Sequence, residues 1–207
     1  MARADTNPPQ RRTGRDNGTR EDILATAVRT FSSKGYANVS LQEIAADMGI
    51  TKAAIYYYFR RKEEILGEAL ERAGATLMER VREETEREGD AEEKLHAVIS
   101  AHVSHVLAHR LLYSVYFSDI SQLDPKRREK ILDEERWYAR TVTAIIESGI
   151  ADGRFRAVNA RTMTLSILGM LNSTIRWFQP AHGLSHDALA ASLAEFAVAG
   201  LKADATG

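Results

Sequence analysis

Between Thr51 and Tyr58 the chain gathers a hydroxyl, an ammonium, a methyl and phenols within eight residues, about 12 Å of helix at 1.5 Å per residue. On such a helix Lys52 and Tyr56 lie one turn apart, as do Ala53 and Tyr57, so the four share an outward face. That chemistry suits recognition rather than bond breaking, because a helix of this length enters a DNA major groove about 12 Å wide end-on and reads it with its outward side chains. A second cluster, His102, His105 and His109, has the i, i+3, i+7 spacing that brings imidazoles around zinc. The chain has no cysteine and no carboxylate pair at ligand spacing, which favours hydrogen-bonded or ligand-anchoring histidines, so no metal or cofactor is expected. No Gly-rich phosphate loop, nucleophile elbow or His-Glu-x-x-His is present, and an enzyme is not expected.

The elements that must hold these residues are helices. Ile23, Ala27 and Phe31 recur at i, i+4, i+8 in a first helix from Arg20 to Lys34, closed by Gly35. Ser40-Leu-Gln-Glu43 is a capping box that opens a short second helix ending at Gly49, and Thr51 caps the third. With Ile44, Ala45, Met48, Ile50, Ile55 and Phe59 facing inward, the second and third make a helix-turn-helix. Glu63 and Glu64 open a long fourth helix ending near Gly89. Asp90 caps a fifth, Leu111 to Phe117 is a short sixth, and Asp124-Pro125 starts the longest, ending near Gly153. Asn159 opens an eighth helix to Phe178, apolar almost all round, and Ser185 a ninth to Leu201. No strand alternation occurs, so the fold class is all-α with about nine helices.

The 207 residues are 44% apolar and 28% charged, an ordinary globular balance. The near-neutral total conceals an asymmetry. Residues 1–62 hold 11 Lys and Arg against 6 Asp and Glu, and residues 63–207 hold 17 against 23. A basic head on an acidic body fits a polyanion partner, although a solvated tail, residues 1–18, accounts for much of that charge. The absence of cysteine, of a secretory signal pattern and of any uninterrupted apolar run long enough to span a membrane points to the cytoplasm.

The stretch 20–66 resembles the DNA-binding domain of the TetR family of bacterial transcriptional repressors. The matching features are Phe-x-x-x-Gly-Tyr (Phe31 to Tyr36), a capping Ser40, Ile-Ala-x-x-x-Gly-Ile (Ile44 to Ile50) and Ile-Tyr-x-x-Phe-x-x-Lys (Ile55 to Lys62). The family usually has His at Tyr58 and a small polar residue at Arg61. The resemblance implies that Ser40, Thr51, Tyr56, Tyr57 and Lys62 contact phosphates, while Lys52 and Ala53 face base edges. Tyr58 is as well explained by packing. Residues 19–65 are then the DNA-binding domain and 66–207 a larger helical ligand-binding and dimerisation domain.

One such head reads few base pairs, so a palindromic operator calls for two heads about 34–36 Å apart and hence a homodimer. The eighth and ninth helices are the expected seam, through Met170, Ile175, Leu189, Leu193 and Phe196, unless these are ordinary core. The family resemblance places an effector cavity among helices four to eight. There the chain offers Met78, His102, His105, Tyr113, Phe117, Trp137, Thr141, Leu168 and Asn172, a lining for a mostly apolar small molecule with one polar anchor. Asn172, an amide in an apolar helix, needs a partner. Gly149-Ile-x-x-Gly-x-Phe155 and Arg176-Trp-Phe-x-Pro180 are similar to a subgroup that includes acyl-CoA-responsive regulators of lipid and steroid breakdown. Effector release of the operator is the expected mechanism, with an activator or a regulator that senses nothing as alternatives.

Overall fold

The computed structural model describes residues 20–179 and 183–203, so the basic tail, the position before Arg20 and Pro180 lie outside the described residues. Nine α-helices are described: α1 (Arg20–Lys34), α2 (Leu41–Met48), α3 (Lys52–Tyr58), α4 (Lys62–Glu86), α5 (Ala91–Ala108), α6 (Arg110–Asp119), α7 (Pro125–Ala151), α8 (Ala160–Trp177) and α9 (His186–Leu201). Short 3₁₀ turns at Tyr36–Asn38 and Ile120–Gln122 complete the described elements.

The caps explain the boundaries. Ser40 Oγ accepts from the Glu43 amide while the Glu43 carboxylate accepts from the Ser40 amide, which satisfies two orphan donors of α2. Gly49 closes α2 at φ 67°, a left-handed conformation that costs a side-chain-bearing residue energy, and Thr51 Oγ1 accepts from the Ala54 amide to start α3. Asp90, Asp124, Asn159 and Ser185 cap α5, α7, α8 and α9 in the same manner.

The head closes over Ile23, Phe31, Ile44, Ile55, Phe59 and Leu66, and this apolar cluster continues without a break into Leu112, Val115 and Tyr116 of α6. The helix α4 runs straight through the boundary expected between residues 65 and 66. Head and body therefore share the α4 helix and one apolar cluster, and the rest of the body closes over a second. In the body α5 is central, with α4, α7, α8 and α9 packed around Leu95, Val98, Ile99 and Val103. The end of α9 is tied down where the Arg156 amide donates to the Leu201 carbonyl and the Ala203 amide to that of Arg154.

The Gly149 to Phe155 motif has a packing reason. Phe155 is buried and folds back over α7, and a Cβ placed on Gly149 would stand 2.2 Å from Phe155 Cδ2. Gly149→Ala should therefore cost about 1–3 kcal/mol despite the better helix propensity of alanine. Urea unfolding at neutral pH checks this, and an unchanged or raised midpoint would contradict the packing reason.

Candidate DNA-reading face and effector cavity

Thr51 at the cap of α3 and Lys52, Ala53, Tyr56 and Tyr57 along it all stand exposed, Tyr57 at 83%. The Lys52 ammonium lies 5.7 Å from the centre of the Tyr56 ring, so cation and phenol act as one unit on that face. Tyr58 differs. Its ring is half-buried against the head core and meets Tyr57 edge-on at 5.1 Å, and its carbonyl accepts from Arg20, so packing accounts for it.

Two residues expected at phosphates have other work. Ser40 Oγ accepts from the Glu43 amide and donates to the Glu43 carboxylate, which commits the hydroxyl to the capping box. Lys62 Nζ donates to the carbonyls of Tyr36 and Ala37 at 2.6 and 3.2 Å, with its charge 4.5 Å above the Tyr36 ring. Here it pins the turn after α1, a role that sequence spacing could not reveal because the two segments are 25 residues apart. Arg60, which sequence reasoning passed over, is exposed in the turn between α3 and α4.

An ion-pair network fastens α1 to α4. Glu68 receives Arg20 at 2.6 Å and Arg72 at 2.7 Å, and Arg72 also reaches Glu21. The hydrogen bond from Arg20 holds the Glu68 carboxyl below the ordinary carboxylate range. Arg20 also lies over the Phe59 ring at 4.4 Å, so the same side chain touches α4 and the end of the helix-turn-helix.

The same α4 forms one wall of a cavity of about 990 Å³ between α4, α6, α7 and α8. Met78, His102, Tyr113, Phe117, Leu168 and Asn172 line it as expected from the sequence. His105, Trp137 and Thr141 do not line it. His105 is buried elsewhere, its ring 4.3 Å from that of His109; Trp137 packs under Arg82 at 4.7 Å; and Thr141 donates back to the Trp137 carbonyl. On α7 Trp137 and Thr141 lie one turn apart on one side, Tyr138 stands about 100° round the helix from Trp137, and Tyr138 takes the inward position. The histidines do not converge on one point either. Both ring nitrogens of His102 are engaged by Tyr138 and Asn172, and His109 Nδ1 is bonded to the His105 carbonyl.

Polar groups sort by depth in this cavity. Thr143 and Thr164 bond one another and their own helices, and Tyr116 donates to Glu135. Burial raises the Glu134 carboxyl above its usual range. Arg140 and Arg161, one on each side of the cleft between α7 and α8, are exposed at its rim. Nothing in the sequence said that Arg140 would share a rim with Arg161, because that depends on how α7 and α8 cross.

On α8 and α9, Phe196 is 69% and Trp177 52% exposed, while Met170 and Leu193 are half-buried. Ile175 and Leu189, expected at a seam, are corrected to core: they are 6% and 4% exposed in the single chain, Leu189 because α9 lies along α5. Beside Phe196 a groove of about 180 Å³ is lined by Met163, Ser166, Ile167, Met170, Ala197 and Gly200.

A capped helix-turn-helix joined through one continuous helix to a helical domain with a large cavity defines a DNA-binding regulator of the one-component type. Residues 23–69 match the family model of bacterial regulatory proteins, tetR family, and residues 88–201 that of the tetracyclin repressor-like C-terminal domain. The chain belongs to the TetR family of transcriptional regulators. It is similar to the fatty acid metabolism regulator protein of Bacillus subtilis, 28% identical over 181 residues, covering 86% of this chain and 93% of that one. Its fold matches the ketosteroid transcriptional regulator KstR2 of Mycobacterium tuberculosis with a TM-score of 0.84 at 22% identity, over 94% of this chain and all of that one. It also matches AibR in complex with isovaleryl coenzyme A and operator DNA with a TM-score of 0.74 at 24% identity, over 88% of this chain and 97% of that one. Among the described residues no helix is long and apolar enough to cross a membrane.

Proposed function

We propose that this regulator is a homodimeric repressor that holds a palindromic operator and releases it when an acyl-CoA enters the cavity. The observation that carries the reading is the cavity itself: a largely apolar interior, Arg140 and Arg161 exposed in its lining beside the ion-paired Arg136, and α4 as its wall. The interior of Leu70, Leu77, Met78, Phe117 and Leu168 suits an acyl chain, and Arg140 and Arg161 suit the phosphates of a CoA head left in solvent. The likeness to a fatty acid regulator and to a protein crystallised with an acyl-CoA supports the same ligand class.

Coupling follows from rigidity. An occupant pressing on Gly74, Leu77 or Met78 shifts α4, and the Arg20–Glu68–Arg72 pairs pass that shift to α1 and the head. For the effector to reverse operator occupancy, it must favour the DNA-incompetent arrangement by about 5.5 kcal/mol. The dimer places Phe196 of each protomer into the groove beside Phe196 of the other, a self-complementary arrangement that a two-fold axis requires. Tyr56, Tyr57, Lys52, Ala53 and Thr51 then meet DNA, in the cytoplasm, and Ser40 and Lys62 support that face rather than reach phosphate.

Genomic fragments selected by the purified protein at physiological salt should share a palindrome, and bound fragments should be released by micromolar palmitoyl-CoA or isovaleryl-CoA but not by CoA alone. Arg140→Glu combined with Arg161→Glu should raise the releasing concentration about tenfold or more. Release by free fatty acid as readily as by its CoA ester, or by neither, would overturn the assigned effector.

A further inference from the structure

The floor of the cavity contains a buried polar chain whose direction is determined by hydrogen-bond accounting. The Tyr138 hydroxyl is 3.0 Å from His102 Nδ1, and His102 Nε2 is 3.1 Å from Asn172 Oδ1. Tyr138 and His102 are buried at 5% and 4% exposure. A carboxamide oxygen only accepts, so His102 Nε2 carries the proton and Nδ1 is left as an acceptor for the Tyr138 hydroxyl. With the amide turned the other way, Nδ2 would donate to Nε2, Nδ1 would donate to the phenol, and the buried Tyr138 proton would have no acceptor among the described residues. That arrangement leaves a buried donor unpaired, so the first is adopted.

We propose that Asn172 is the specificity-determining donor of the effector cavity, presenting Nδ2 to a carbonyl oxygen of the ligand because the Tyr138–His102–Asn172 chain locks its Oδ1 inward. The proposal rests on the acyl-CoA reading and adds to it: the recognised atom is the thioester oxygen. Asn172 lines the cavity and is half-buried, and among the described residues its Nδ2 has no hydrogen-bond partner. Gly169, one turn earlier on the same face, adds no bulk, since even a Cβ there would meet nothing within 4 Å. A ligand carbonyl therefore has space to approach. The other interior groups impose no such choice. Tyr113 offers a hydroxyl that donates or accepts, Thr143 and Thr164 are bonded to each other, and Glu134 and Glu135 repel a carbonyl oxygen whenever they are ionised. Below the arginine rim, Asn172 is the described side chain restricted to donating.

His102 and Tyr138 are positioning residues in this account. His102 stays neutral because burial drives its pKa down to about 4, so the donor direction persists throughout the neutral range.

The test compares hexanoyl-, decanoyl- and palmitoyl-CoA, each with the S-alkyl-CoA thioether that has the same chain but no carbonyl oxygen, by calorimetry on the full-length protein. The expected result is that the tightest thioester binds about tenfold or more better than its thioether. Asn172→Asp keeps an oxygen for His102 and removes the donor, so it should lose that discrimination while still binding the thioether. Equal binding of thioester and thioether by the unaltered protein overturns the proposal and leaves the acyl-CoA reading standing. Discrimination that survives Asn172→Asp also overturns it and moves the donor to Tyr113. Failure of the unaltered protein to bind any of the thioesters overturns both. The comparison of ligands on the unaltered protein needs no variant to fold.

Discussion

Phe196→Asp is expected to yield a folded monomer that no longer holds the operator. The side chain is 69% exposed in the single chain, so a carboxylate there meets water and should change protomer stability by less than about 0.5 kcal/mol. In a two-fold interface the same position occurs twice, and the charge would enter a groove made by Met163, Ile167, Met170 and Ala197 with no cation in it. Burying an unpaired charge costs several kcal/mol, and at 1.4 kcal/mol for each factor of ten the dimer should weaken by roughly three orders of magnitude or more. One helix-turn-helix then remains to read a few base pairs, and specific operator binding should fall to the salt-sensitive background. Sedimentation and operator titration at matched concentration check both parts. Intact dimers with unchanged operator affinity would place the seam on another face, and unchanged circular dichroism keeps misfolding out of the explanation.

Acidification should destabilise the protein before its ion-paired carboxylates titrate. Burial drives His102 to about 4, and burial together with the neighbouring His109 drives His105 to about 4, whereas both return to about 6.5 when the chain unfolds. Between those values the unfolded state binds more protons than the native state, so stability rises with pH across that window. The contribution is complete above about pH 6.5 and declines as pH falls toward 4. At 1.36 kcal/mol per unit, each histidine should remove about 2 kcal/mol between pH 7.5 and pH 5, and the pair about 4, a large share of an ordinary domain's stability. Ion-paired carboxylates such as Glu68 sit below their usual range and act only at still lower pH. Chemical denaturation at pH 7.5 and pH 5 measures the difference. A change under about 1 kcal/mol would mean that the two imidazoles are not held neutral by burial, and His102→Gln should flatten the slope by about half.

The local elements were legible because their causes are local. Ser40 and Glu43, Thr51 and Gly49, Asp90, Pro125, Asn159 and Ser185 each act within one turn of themselves, and every boundary they imply is found within a few residues. The exposure of Lys52, Ala53, Tyr56 and Tyr57 was legible for the same reason, since i, i+4 spacing on a short helix with Ile55 buried leaves one outward face. The α6 helix was expected slightly short, as Leu111 to Phe117, because its polar ends, Arg110 and Asp119, carry no apolar periodicity.

What the sequence left open was which of two faces several residues take after helices cross. Trp137 and Tyr138 are adjacent and equally suited to a cavity, yet the angle of α7 against α8 turns Tyr138 inward and leaves Trp137 under Arg82. Leu189 and Phe196 belong to one apolar stripe, but α9 lies on α5 so that Leu189 is consumed by the core and Phe196 is left outside. Lys62 carries the right charge at the right place for phosphate, and only the return of the chain past Tyr36 shows the carbonyls that hold it. Taken alone, the sequence determined the all-helical class, the capped helix-turn-helix and the outward face of α3, because periodicity and capping are properties of neighbours along the chain. The tertiary structure decided which residues enclose the cavity, which apolar groups remain exposed, and which polar groups meet at the cavity floor, because those depend on contacts between segments as far apart as Tyr138, His102 and Asn172.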